Sequence, residues 1–199
     1  SSVELLNEES VPKDAAAIII NAPQKDFNKN DAQKVIDYLQ KGGKAIIVGM
    51  HSETEMPNFA SILDTYGVSL TTGPIADNDA QHYYNMGGPL YLLPNVNSSS
   101  YTGSLSGGYV YLPISLGINY PQNSTTDDTE STEESKTTYT SLLDTSDDAV
   151  AKNNPNSMQD YGYEDGDDKG PFSVGLAVED KVDDDHTTQL VVFASPYVF

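Results

Sequence analysis

The 199-residue chain contains no cysteine, no tryptophan and no arginine. Without cysteine there is no thiol nucleophile, no disulfide framework and no thiolate zinc site. Without arginine there is no planar fork to hold phosphate or carboxylate through two parallel bonds. Positive charge is scarce: ten lysines stand against 30 acidic residues, a formal net charge of −20. Such a surface repels a phosphate backbone, so nucleic acid is excluded as a partner. No apolar run approaches the roughly 18 residues that read as a bilayer span. Ser1 to Ser10 is acidic and lacks the apolar stretch of a signal peptide. With no initiator methionine, the chain reads as an excised domain.

What is present suffices for one core: hydrophobic residues make up 37% of the chain. A single α/β domain over residues 1–199 is expected. Ala15 to Ile20 is a short continuous apolar run ending at Asn21-Ala22-Pro23, as expected of a strand covered on both faces. Asn28 is placed to cap a helix, with Asp31 in its first turn. Ala32, Val35, Ile36 and Leu39 then form one apolar stripe, and Gly42-Gly43 ends the helix. Ala45 to Gly49 is a second strand, completing a right-handed βαβ unit. A second helix is expected over Pro57 to Tyr66, capped by Gly67, then a strand at Val68 to Leu70 and a turn at Gly73-Pro74.

Beyond this the pattern weakens. Residues 77–108 read as loops with room for one short helix, and Tyr109 to Ile118 as a strand broken near Pro113. Residues 121–170 hold 13 acids and 3 lysines, a net of −10, half the charge of the whole chain. Within them, 122–136 has no apolar side chain to offset the entropy of ordering and is expected to be a mobile loop; 144–170 is polar again. Tyr139 to Leu143, Phe172 to Val178 and Leu190 to Ala194 read as strands. The acidic turn Glu179 to Asp185 links the last two, as expected of a hairpin or a neighbouring pair.

The residues with possible chemistry are few. There is no Gly-x-Ser-x-Gly elbow, and none of the glycine pairs at 42–43, 87–88 and 107–108 has the form of a phosphate loop. Of the histidines at 51, 82 and 186, His51 stands out because it follows a buried strand, at the carboxyl edge where open α/β sheets bind ligands; otherwise it is a loop histidine. Glu164 to Asp168 and Asp183 to Asp185 are acidic enough to attract calcium, yet lack EF-hand spacing and read as solvated acidic loops before a calcium site. The thirteen tyrosines show no period and read as structural rather than as a carbohydrate face.

Several segments, in order, resemble a known family. They are Val11-Pro12-Lys13-Asp14, Ala17 to Pro23, Asp26-Phe27-Asn28 and Tyr38 to Ala45. Leu63 to Val68, Leu142 to Ser146, Lys169 to Phe172 with Val174 to Val178, and Leu190 to Ser195 follow. The set is similar to the "ABC-type uncharacterized transport system" auxiliary family, which includes GldG-like gliding-motility proteins. Departures are the acidic insert at 122–136 and Ala194-Ser195 in place of a Gly-Asp-Ser strand end. The resemblance implies a Rossmann-like or flavodoxin-like three-layer sandwich related to class I glutamine amidotransferases. Its sheet would be mainly parallel, with antiparallel strands late in the chain. It also implies an extracytoplasmic domain, membrane-anchored by segments beyond this sequence, that works beside an ABC transporter. The cysteine that amidotransferase chemistry needs is absent.

The resulting expectation is a non-catalytic auxiliary binding or scaffolding domain of an ABC transport system. Its partner would be the permease–ATPase complex or an envelope component. The candidate binding edge is Asn21, Met50, His51 and Ser195, at the carboxyl ends of the expected parallel strands. No catalytic residue, metal or cofactor is assigned. Two other readings stand beside it: an extracellular hydrolase acting on carbohydrate or peptide, which needs paired carboxylates at strand ends, and a calcium-dependent surface-binding domain.

Overall fold

A computed structural model describes residue 5 and residues 8–105, 108–122, 136–153 and 160–198. Its first third follows the sequence closely. Strand β1 (Ile18–Asn21) leads into helix α1 (Lys29–Leu39), whose cap is Asn28: its side-chain oxygen accepts the Asp31 amide at 2.9 Å. Ala32, Val35 and Leu39 are buried along one face. Gly42 takes a positive φ of 86°, reversing the chain into β2 (Lys44–Val48). Helix α2 (Pro57–Asp64) starts with proline, where the missing amide is harmless, and buries Phe59, Ile62 and Leu63.

The remaining strands are β3 (Ser69–Asp77), β4 (Tyr91–Leu92), β5 (Asn95–Val96), β6 (Leu112–Pro113), β7 (Leu116–Asn119), β8 (Thr137–Asp144), β9 (Ala149–Ala151), β10 (Asp168–Lys169), β11 (Ser173–Lys181) and β12 (Thr187–Phe193). Ten of the twelve form one sheet in the order β1-β2-β12-β11-β7-β3-β9-β10, with β8 paired to β11 and β5 to β8. β4 and β6 make a separate pair. Among the described strands, β1/β2 and β2/β12 pair in parallel and the other pairings are antiparallel.

Alternate residues of β12 face opposite ways, which divides the core. Leu190 and Val192 join Ile20, Ala45 and Ile47 beneath α1 and α2. Val191 and Phe193 face the other side, toward a second cluster of Ile75, Leu92, Leu112, Leu142, Phe172 and Val174. Loop segments carrying β4 to β6 cover that second cluster. Both described α-helices pack on the first face, where they touch each other.

This arrangement corrects the expected fold class. Among the described residues, sheet predominates over two α-helices and one short 3-10 helix (Gly103–Leu105), and the ten-stranded sheet is mixed rather than mainly parallel. The chain is therefore not the helix-rich Rossmann-like or flavodoxin-like three-layer sandwich. A βαβ unit is present, but after α2 the chain continues through antiparallel pairs instead of further crossovers. Two local expectations also change. Ile19 is 59% exposed, so the 15–20 run is an edge strand covered on one face, not both. Gly73-Pro74 is not a turn but the interior of β3. A Cβ at Gly73 would lie 1.6 Å from the Lys152 carbonyl, so glycine there permits close approach of the chain beyond β9. The hairpin of β11 and β12 is present, in register from Gly175↔Phe193 to Lys181↔Thr187. Of the loop expected at 122–136, residues 123–135 lie outside the described residues.

Candidate functional site

The parallel strands bring the carboxyl ends of β1, β2 and β12 to one edge, with Asn21 opposite Val48 and Val48 opposite Phe193. The four expected edge residues separate there into three environments. Met50 and His51 line an open cleft of about 260 Å³ beside α2 and β3, together with Met56, Phe59 and Leu70. The Nδ1 of His51 lies 3.1 Å from the Thr72 carbonyl. Because a carbonyl only accepts, Nδ1 carries the hydrogen. Asn21 is exposed at the end of β1 and is not part of that cleft. Ser195 is fully buried, and its hydroxyl donates to the Pro113 carbonyl at 2.7 Å. It therefore ties β12 to the strand pair β4/β6 and offers nothing to a ligand, which corrects its place on the binding edge.

A second site was not visible in the sequence pattern. Tyr101, Leu105, Tyr111, Val191, Phe193 and Tyr197 line a hollow of about 310 Å³ on the face of the sheet away from α1 and α2. Tyr101, Tyr111, Tyr197 and Leu105 are all substantially exposed. Tyr111 extends the aromatic surface outward: its ring stands edge-on to Tyr84 at 6.1 Å and stacks with Tyr91 at 6.2 Å. The Tyr101 hydroxyl donates to Glu179 at 2.5 Å, and Gln189 holds the same carboxylate oxygen at 3.1 Å. Burial and the adjacent carboxylate push the Tyr101 phenol up to about 12. The rings come from two stretches far apart in the chain, 84–111 and 193–197, so no local period announces them. One signal was available: six of the thirteen tyrosines fall within residues 83–111.

The acidic runs have structural partners. The Lys152 ammonium, wholly enclosed, donates to Asp167 at 2.6 Å, to the Gly162 carbonyl at 2.7 Å and to Glu164 at 3.1 Å, which uses all three of its hydrogens. Asp167 also accepts the Asn153 and Glu164 amides. Burial alone would lower the lysine pKa, but its two carboxylate partners outweigh that and raise it. For Asp167, burial raises, while Lys152 and the two amides lower it further, so the net shift is downward. Asp183 accepts the Asp185 and His186 amides and faces the His186 ring at 2.8 Å. The 164–168 run thus neutralises a buried lysine, and the 183–185 run closes a hairpin. Among the described residues, no group of three or more histidine, aspartate or glutamate side chains is placed to hold a metal ion.

Fold and site together describe a domain built mostly of one mixed β-sheet, with an aromatic hollow on the sheet face away from α1 and α2. No family model and no curated protein matches the chain. Among solved structures it is similar to "mmIFT52 N-terminal domain", with a TM-score of 0.56 and 11% identity over 92% of this chain and 67% of that one. That likeness concerns the fold alone.

Proposed function

We propose that this chain is a non-catalytic auxiliary domain of an ABC transport system, displayed outside the cytoplasm and acting by contact with the permease–ATPase complex or an envelope component. The residue resemblance described above suggests the setting. The observation that carries the binding reading is the aromatic hollow around Tyr101, Tyr111 and Tyr197, where large apolar rings stand exposed at a concave surface. The polar groups of the strand edge are meanwhile engaged in holding backbone: Ser195 on Pro113, and His51 on Thr72.

The test is copurification. Tagged full-length protein, extracted from its native membrane in mild detergent, is expected to retain an ABC permease and its ATPase in fixed proportion. Recovery of neither, under conditions that keep other ABC complexes intact, overturns the proposal. So does turnover of a small molecule that is lost on changing one side chain in the cleft beside His51.

A further inference from the structure

Hard donors do not converge on a metal site among the described residues, but soft donors share one cleft. Residues 49–56 join β2 to α2. They turn back on themselves, because the Ser52 hydroxyl donates to the Thr54 carbonyl at 2.8 Å and accepts the Thr54 amide at 3.1 Å. Met50 and His51, just past β2, and Met56, just before α2, therefore line the same cleft of about 260 Å³. All three are half-buried.

Each brings a donor atom that no other described residue uses. His51 directs its Nδ1 hydrogen to the Thr72 carbonyl at 3.1 Å, so in the neutral ring the Nε2 lone pair is free. Metal-binding imidazoles are held in this way, with a backbone carbonyl on one nitrogen fixing the aim of the other. The sulfurs of Met50 and Met56 have no hydrogen-bond partner among the described residues, whereas the Met86 sulfur accepts from the Tyr84 hydroxyl at 3.2 Å. Methionine is often a filler of irregular gaps, and Met56 does pack against the core beneath the helices. Met50 belongs to neither core cluster, so packing does not account for it.

The donor set selects the ion. Thioethers are soft, uncharged ligands that suit Cu(I). Zinc is held by thiolate, imidazole or carboxylate, and calcium and magnesium take oxygen. Two sulfurs and one neutral imidazole leave the single positive charge of Cu(I) uncompensated by its ligands. Glu55 and Asp64 line the same cleft and supply the opposite charge close by. We infer that Met50, His51 and Met56 form a Cu(I) site, bound through two thioether sulfurs and the imidazole Nε2. The cleft is open and no thiolate anchors the ion, so the site holds copper exchangeably.

The test is an anaerobic titration of the 199-residue chain with Cu(I) in the presence of a chromophoric Cu(I) chelator, whose absorbance reports the metal it loses. One equivalent is expected to pass to the protein. Met50→Leu, Met56→Leu and His51→Asn should each weaken binding by more than about tenfold, since disturbing even an indirect partner of a bound metal costs that much. Leucine conserves the volume of methionine, so the sulfur variants keep the fold, which unchanged amide spectra of the metal-free proteins will show. Met86→Leu should leave the affinity as it was. Silver(I), which does not change oxidation state, should shift the methyl resonances of Met50 and Met56 and the ring protons of His51.

No uptake against the chelator would overturn the inference. So would uptake indifferent to Met50→Leu combined with Met56→Leu, or silver shifts confined to residues outside this cleft. Zinc(II) bound here as tightly as Cu(I) would also overturn it, because the donors would then be imidazole and carboxylate. The outcome is separable from the transport proposal. Failed copurification leaves the copper site standing, and failed copper uptake leaves the transport reading standing.

Discussion

Lys152 is the residue whose surroundings constrain it most. A fully buried ammonium is tolerated because each hydrogen meets an oxygen, and Asp167 brings an opposite charge to 2.6 Å. Lys152→Met leaves Asp167 enclosed without its counterion and should cost about 3–5 kcal/mol, read as a lower urea midpoint. Pairing it with Asp167→Leu removes the stranded charge and should recover part of that loss; no recovery would mean that the lysine stem, not the ion pair, supplies the stability. The pH dependence follows from the two shifts. The lowered Asp167 contributes stability above its unfolded pKa of about 3.9, lost as pH falls through the lower folded value. The raised Lys152 contributes below its unfolded pKa of about 10.4, lost as pH rises through the higher folded value. The staple therefore holds through the neutral range and fails at both extremes. Asp167→Asn should flatten the acid arm of a stability–pH curve. Tyr101 offers a spectroscopic counterpart: its phenol should ionise last among the tyrosines, near 12, in an absorbance titration. Glu179→Gln removes the carboxylate charge while leaving an amide oxygen that still accepts, so it should bring that step down; an unmoved step would deny the charge's contribution.

Among the elements, α2 shows how a distant residue completes a local one. Its N-cap Met56 makes no side-chain cap bond. Asp26, from the loop after β1, supplies it instead, accepting the Asn58 amide at 3.1 Å, the Phe59 amide at 2.9 Å and the Asn58 side chain at 2.7 Å. Burial pushes the Asp26 carboxyl up, but these donors outweigh it and hold it below the ordinary aspartate value. Asp26→Ala should cost about 1–2 kcal/mol, the range for a lost helix cap, and the difference should shrink as pH falls through the folded pKa of Asp26. A loss that persists undiminished in acid would contradict the cap. The cap of α1 was legible because Asn28 sits beside the stripe it starts. The cap of α2 was not, because nothing in the sequence near Asp26 says which helix it will meet. The same divide separates the strands. β2, β11 and β12 carry enough consecutive apolar residues to be read alone. β9 and β10 have three and two residues and exist only through β3 and each other. At the candidate edge, Met50 and His51 could be placed from the strand before them, but the burial of Ser195 depends on Pro113, far away in the chain.

At the scale of the molecule, the first βαβ unit was legible because a crossover is a local pattern, whereas the mainly parallel Rossmann-like sheet was what the family resemblance implied. Whether later strands add in parallel or antiparallel fashion is set by pairings such as β11 with β8 and β3 with β7, which no segment states by itself. Charge, by contrast, is fully legible and has a whole-molecule consequence. With −20 on one chain, mutual repulsion weakens the compact state, and salt should relieve it. Raising sodium chloride from about 10 mM to about 0.5 M is expected to lift the thermal midpoint by several degrees, since a change of about 1 kcal/mol moves a domain of this size by about 2–4 °C. The Lys152–Asp167 pair should survive that screening because solvent ions do not reach it. Calcium distinguishes repulsion from a specific site. If the acidic runs are ordinary solvated and structural charge, calcium and magnesium at matched ionic strength should raise the midpoint by similar amounts. A dedicated calcium site would instead stabilise in proportion to the logarithm of calcium concentration above its Kd, with magnesium far behind. Asp167 and Asp183 already hold Lys152 and the His186 turn, so calcium would have to displace those partners. A calcium-selective rise, measured by circular dichroism at fixed ionic strength, would show that it does, and would restore the surface-binding reading.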